Sequence, residues 1–361
     1  MEPFVVSALK YRPTRFEEVV GQQAITQTLQ NALDTQQLAQ SLLFCGPRGV
    51  GKTSCARILA QEINSKNRNQ SEDFAFNVFE LDAASNNLVE DIRKINEQVR
   101  IPPQLGTHKV YIIDEVHMLS KSAFNAFLKT LEEPPKHVIF ILATTEKNKI
   151  IPTILSRCQV YDFKRISVLD IQKHLTKIAI QQELKFEDEA LLLIAQKADG
   201  ALRDAFSIYD RMVSFTNGKL KTTLVAENLN VLDFDSYFSF VNQFLKHQIP
   251  EVLIDFNSLR QKGFDGMQFI LGLEEHLRTL LFVKDQKTNA LLELGQGIQD
   301  KYEKQSQNLN TGWLLDALEV LNQCEISFKS SQNKNLHIEL CLLQLASLHF
   351  NEEKKKLHNS S

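Results

Sequence analysis

The sequence predicts an α/β domain on a parallel five-stranded sheet, followed by two all-helical domains. Five short apolar stretches recur between helix-length patterns in the first 163 residues, and a glycine-rich loop joins the first of them to a helix. Beyond Phe163 the strand signal stops, and apolar residues recur three and four apart instead. At 361 residues the chain exceeds one comfortable core, which accommodates this division.

The five stretches are SLLFC (41–45), FNVFELD (76–82), KVYIIDE (109–115), HVIFILAT (137–144) and QVYDF (159–163). They are rich in Ile, Val and Phe and nearly continuous, the pattern of strands covered on both faces. TSCARILAQEIN and SAFNAFLKTLEE between them are long enough for crossover helices. Downstream, SVLDIQKHLTKIAIQQEL, EDEALLLIAQKAD and LRDAFSIYDRMVSF read as helices, with Asp199-Gly200 as a stop and restart and FTNGKLKTT as a turn. Residues 226–352 read as helical throughout, with breaks at HQIPE, QKGFDG and NLNTG. The expected domains are 1–163, 164–225 and 226–352, with 353–361 a charged, frayed tail.

Composition narrows the function. With 43% apolar and 24% charged residues the chain is globular. A formal charge of −3 excludes a globally basic nucleic-acid coat, so any contact with nucleic acid must be local. Five scattered cysteines, never in a CxxC pair, argue against a disulfide framework and for a reducing compartment. The N-terminus has no leader pattern, and no apolar run approaches the ~20 residues that span a bilayer. The expectation is a cytoplasmic protein with no membrane partner.

The chemistry starts at GPRGVGKT. Gly46, Pro47, Arg48, Gly49, Val50, Gly51, Lys52 and Thr53 form GxxxxGK[ST] between a strand and a helix, the context that motif requires. Its glycines let backbone N–H groups face phosphate oxygens at a helix N-terminus. Lys52 is expected to reach the β- and γ-phosphates of ATP, and the Thr53 hydroxyl to bind Mg²⁺. VYIIDE supplies two acids at a strand tip: Asp114 for Mg²⁺ through water, and Glu115 to polarise the attacking water. One strand later ILATTE ends with Thr144 and Thr145, whose hydroxyls are placed for the γ-phosphate or the water.

GPRGVGKT, VYIIDEVHMLS, FNAFLKTLEEPP, ILATTE, ILSRC and GALRDAFS occur here in the order in which they occur in a known family. Together with ALKYRPTRFEEVVGQ, they make residues 5–215 resemble the gamma/tau subunits of bacterial DNA polymerase III, clamp-loader ATPases of the AAA+ superfamily. From residue 230 onward the likeness rests on length and helical character. The resemblance implies an AAA+ P-loop core, a helical lid and a C-terminal helical collar. It implies that Arg203, in GALRDA, touches the γ-phosphate of its own subunit's ATP. Arg157, in SRC, is implied to reach the ATP of an adjacent subunit. Tyr11, Arg12 and Pro13, with Val19 and Val20, are implied to line the adenine pocket. An arginine lent in trans makes hydrolysis conditional on assembly, since it stabilises charge in the transition state.

The same resemblance implies other clamp-loader subunits and copies of this chain as partners, with a sliding clamp and primer–template DNA. Asn86, Asn87 and Arg93, in SNNLVEDIR, are the candidates for contacts to the DNA backbone. Residues 143–177 hold seven Lys or Arg against three acids, enough for a local basic patch but also for an ordinary solvated face. Many relatives carry four cysteines between the phosphate-loop helix and the next strand. The interval NSKNRNQSEDFAFN has none, so zinc is not expected. Longer relatives continue into a tail that binds the helicase and the polymerase; this sequence stops near the end of the third expected domain, so the resemblance does not carry those contacts over to it. His117, in EVHML, is expected to pack or hydrogen-bond, with no metal spacing around it. No trio of metal-binding acids suited to nucleotidyl transfer is visible, so DNA synthesis is not expected in this chain. A branch-migration helicase is the alternative within AAA+ ATPases, disfavoured by the lack of a winged-helix pattern. A non-hydrolysing scaffold would have no chemical need for Lys52, Thr53, Asp114 and Glu115.

Overall fold

A computed structural model describes residues 5–65, 74–104, 106–229, 232–289, 291–292 and 296–358. Five parallel strands form one sheet: β1 Ser41–Cys45, β2 Val78–Asp82, β3 Lys109–Asp114, β4 Val138–Thr144 and β5 Gln159–Asp162. Their order is β2-β3-β4-β1-β5. β4 therefore stands between β1, which precedes the glycine-rich loop, and β3, which ends at Asp114.

Helices α1 Ser7–Lys10, α2 Gln23–Asp34, α3 Lys52–Ser65, α4 Val89–Gln98, α5 Lys121–Glu132 and α6 Pro152–Leu155 accompany the sheet. Alternate residues of β1, β3 and β4 face opposite layers. Leu42, Phe44, Val110, Ile112, Ile139 and Ile141 pack with Leu29 of α2 and Ile58 and Leu59 of α3. Leu43, Tyr111, Ile113, Phe140 and Leu142 pack with Ile92 and Ile95 of α4 and Phe124 and Phe127 of α5. Because both faces are covered, β1 and β4 are buried along their whole lengths, which is why the sequence shows no alternation there.

The chain continues through α7 Val168–Gln181, α8 Asp188–Lys197, α9 Leu202–Phe215 and α10 Thr222–Asn228. It ends in α11 Phe234–Leu245, α12 Ile249–Gln261, α13 Gly266–Val283, α14 Gln286–Asn289, α15 Gln296–Ser306, α16 Thr311–Phe328 and α17 Lys334–His358. Side-chain caps begin several of them. Ser120, Asp233, Asp265 and Asn310 each accept a hydrogen bond from a first-turn N–H.

Four expectations are corrected here. The strand signal does not end at Phe163: β6 Lys185–Phe186 and β7 Lys219–Leu220 pair in parallel. Two residues per strand are too few to leave a periodicity. The third expected strand stops at Asp114, because Glu115 takes left-handed backbone angles, φ 47° and ψ 45°. The helical region is interrupted at places beyond the three expected, among them 284–285, where an Asp285 carboxylate accepts from Lys287 N at 2.8 Å as α14 begins, and 329–333 between α16 and α17. The expected tail from 353 is helical through His358.

By internal contact the chain forms two compact units, Met1–Leu175 with Ala195–Arg211, and Thr176–Ile194 with Met212–Ser361. The first holds the sheet and the N-terminal part of α9. Among the described residues, the regular structure of the second is helical apart from β6 and β7. Its core includes Trp313, Leu277, Leu321 and Leu342. A polar group is also sealed there. His276 is 2% exposed, with Nδ1 2.9 Å from the Tyr302 hydroxyl and Nε2 3.2 Å from Gln305 Oε1.

Candidate active site

The glycine-rich loop follows β1 and leads into α3. Gly46 has φ 146°, and a Cβ built on it would lie 2.3 Å from the Phe163 carbonyl oxygen, so only glycine fits. A Cβ on Gly51 would meet Val19 Cγ1 at an ordinary 3.7 Å, but its φ of 103° is one that side-chain-bearing residues rarely adopt. Lys52 opens α3 and is 5% exposed, its ammonium donating to the carbonyls of Gly46 and Pro47 at 2.7 Å each. Burial pulls its pKa below the usual lysine value, and the nearby Glu115 and Asp114 carboxylates oppose that shift.

The strand order brings β3's end to this loop. Thr53 Oγ1 donates to Asp114 Oδ2 at 2.8 Å. A hydroxyl and a carboxylate so placed are hard oxygen donors, the set that Mg²⁺ takes when phosphates and water complete its shell. The residues therefore suit that ion. The other Asp114 oxygen accepts from Glu115 N at 2.9 Å, which locks the turn that sends Glu115 out of the strand direction. Glu115 Oε2 accepts from Thr145 Oγ1 at 2.9 Å and from Thr145 N at 3.2 Å.

A cavity of about 320 Å³ opens at this point. Arg48, Gly49, Val50, Gly51, Lys52 and Thr53 line it, as do Asp114, Glu115 and Arg203. Tyr11, Arg12, Pro13, Val19 and Val20 line the same cavity. Burial lowers the Arg12 pKa first, and the neighbouring Arg57 and Arg203 charges lower it further against Glu80. α9 is tied to the loop directly, since Leu202 N donates to Gly49 O at 3.0 Å.

Thr144, Thr145 and Arg157 do not line this cavity. Thr144 is fully buried; its hydroxyl meets His117 Nδ1 at 3.0 Å and accepts from Glu146 N at 3.1 Å. Thr145 instead holds Glu115. His117 is the hydrogen-bonding residue the sequence suggested. Arg157 follows α6 and pairs through Nη2 with Glu132 Oε1 at 2.5 Å, while Nη1 donates to Thr153 O at 2.7 Å. Asn86 and Asn87 lie in the turn between β2 and α4, and Arg93 is exposed on α4. They too stand outside the cavity.

Sequence reasoning missed Val6, Leu9, Ile166, His174 and Phe206, which also line the cavity. Phe206 was accessible from helical spacing, three residues beyond Arg203. Val6 and Leu9 adjoin the segment already singled out. Ile166 and His174 carry no local signal. Of the interval in which zinc ligands were sought, 66–73 lies outside the described residues. Among the described residues no group of three or more His, Cys, Asp or Glu could hold a metal, and no helix is long and apolar enough to cross a membrane.

A phosphate loop after β1, two acids at the end of β3 and a strand interposed between them define a P-loop nucleotide-binding protein of the AAA+ type. The fold is shared with a RuvB variant from Thermotoga maritima, at a TM-score of 0.50 and 22% identity, over 65% of this chain and 79% of that one. Residues 21–167 match the family described as DNA polymerase III, delta subunit, and 170–218 match the DNA polymerase III clamp loader subunit, ATPase lid domain. DNA polymerase III subunit tau of Bacillus subtilis is 38% identical over 93% of this chain and 62% of its own length. Subunit tau of Escherichia coli is 40% identical over 78% of this chain and 46% of its own length. Subunit gamma of Buchnera aphidicola (subspecies Baizongia pistaciae) is 32% identical over 95% and 97%. The chain belongs to the gamma/tau family of DNA polymerase III clamp-loader subunits. It spans about half to two-thirds of the length of the tau relatives.

Proposed function

We propose that this chain is the ATP-hydrolysing subunit of a clamp loader, which uses ATP binding and hydrolysis to load a sliding clamp onto primed DNA. The observation that carries this reading is the 2.8 Å meeting of Thr53 and Asp114 beside the buried Lys52. It assembles both halves of a triphosphate site in one cavity. Lys52 exchanges a loop carbonyl for a β- or γ-phosphate oxygen, and backbone N–H groups of the loop take the others. Thr53 and, through water, Asp114 would hold Mg²⁺, which would supply charge neutralisation at the phosphate oxygens. Glu115 orients the attacking water once Thr145 yields its carboxylate. Tyr11, Arg12, Pro13, Val19 and Val20 enclose the base. Arg203 contacts the γ-phosphate from α9 and so couples nucleotide state to the lid.

Arg157 acts on a neighbour's ATP. That it does not line its own chain's cavity supports this assignment, because a finger for the same subunit would have to line it. Partners are copies of this chain and other clamp-loader subunits, the sliding clamp, and primer–template DNA gripped through its backbone by Asn86, Asn87 and Arg93. The working division is a core over 1–163, a lid over 164–225 and a collar over 226–352, in a cytoplasmic assembly. Lys52→Ala tests the site directly. ATP affinity, measured by calorimetry, should fall roughly 10- to 100-fold, the worth of a charged hydrogen bond. Affinity near that of the unmodified chain would reject the phosphate-loop assignment.

A further inference from the structure

Two features of the first unit lie outside the roles assigned so far. Ser7 is 3% exposed, although it sits in a one-turn helix near the chain's start. Its N–H donates to Asp210 Oδ2 at 2.8 Å, and its hydroxyl donates to the other oxygen of the same carboxylate. The second feature is a ring contact: Tyr11 stacks on Phe206 with centroids 6.4 Å apart and planes inclined by 28°.

Both partners belong to α9. Arg203, Phe206 and Asp210 are spaced three and four residues apart, so one helix face presents all three. That face offers Arg203 to the cavity and grips the N-terminal segment twice. The segment lines the same cavity through Val6, Leu9 and Tyr11. Base contacts and the γ-phosphate contact are therefore built on two pieces of chain far apart in sequence but joined side chain to side chain.

We propose that Ser7 and Asp210 form a latch that makes the base-binding segment and the Arg203 helix respond to nucleotide as one body. They are positioning residues for telling a nucleoside triphosphate from a diphosphate. The proposal rests on the nucleotide site described above. A γ-phosphate biases α9 through Arg203; the latch passes that bias to the segment holding the base, and linkage requires the influence to run both ways. A diphosphate does not reach Arg203, so its affinity depends little on whether the two pieces are joined.

The test is calorimetric titration of the full chain with ATP and with ADP. Ser7→Ala and Asp210→Asn should each weaken ATP binding roughly five- to thirty-fold, the span of a charge-assisted hydrogen bond. ADP binding should change less than about twofold on the same grounds. Ser7→Thr keeps the hydroxyl and should retain most of the ATP preference. With Arg203→Ala already present, neither substitution should alter the ATP-to-ADP ratio further. Equal losses for both nucleotides, or a ratio unchanged by Ser7→Ala and Asp210→Asn, would overturn the latch while leaving the nucleotide site standing. Failure of the unmodified chain to bind either nucleotide would overturn the site itself and the latch with it.

Discussion

Glu115 illustrates how much one residue's backbone decides. Its neighbour Asp114 ends β3, but the left-handed turn at Glu115 and the bond from Glu115 N to Asp114 Oδ1 send the two carboxylates different ways. One meets Thr53 and the other meets Thr145. Adjacent acids thus face different partners, as the proposed division between metal binding and water orientation requires. Glu115→Gln should keep ATP affinity within about twofold while turnover falls roughly 10²- to 10⁴-fold, the usual contribution of a general base. Fast turnover in that variant, measured by phosphate release, would move the water-orienting role to another residue. That two acids stand at this strand end was legible in DE following four β-type residues. Their divergence was not, because a residue's φ reflects the turn it must complete and not its own propensity.

Single elements carry two further consequences. The β1–loop–α3 unit works only if its first glycine approaches Phe163 without a side chain. Gly46→Ala should destabilise the fold by roughly 1–3 kcal/mol and weaken nucleotide binding together, because strain enters at the loop proposed to hold the phosphates. Denaturant unfolding and ATP titration on one preparation check both. In the helical unit, burial drives His276 down to about 3 from 6.5, with the Gln305 hydrogen bond opposing it. The unfolded chain takes up a proton near 6.5 that the folded chain refuses, so stability is full above that pH and falls as pH drops toward 3. The loss should reach roughly 2–4 kcal/mol by pH 4. Unfolding midpoints of the native protein should therefore fall more steeply between pH 7 and 4 than those of His276→Gln. Parallel pH curves would remove His276 from the acid response.

At the scale of the whole molecule, the proposed role of Arg157 predicts a separation of binding from turnover. It is anchored to Glu132 and Thr153 and lines no part of its own chain's cavity. Arg157→Ala should bind ATP as the unmodified chain does, yet assembled complexes should hydrolyse it roughly 10³- to 10⁵-fold more slowly, the range for fingers supplied in trans. Mixing it with Lys52→Ala subunits should restore part of the activity, since each variant contributes one sound half-site. No recovery in verified mixed oligomers would count against an in-trans role.

By itself the sequence determined the five strands, the crossover helices, the phosphate loop with its two partner acids, and the family these motifs announce. Those features are written in burial patterns and fixed spacings along a few contiguous residues, which any stretch of chain reports locally. Only the tertiary structure decided that β4 lies between β1 and β3, that Ile166 and His174 join the cavity, that Thr145 holds Glu115, and that Ser7 is bound to Asp210. Each of these is a meeting of residues far apart in the chain. Such meetings follow from which faces can be buried together, a choice made by the packed molecule as a whole and leaving no mark in any single segment.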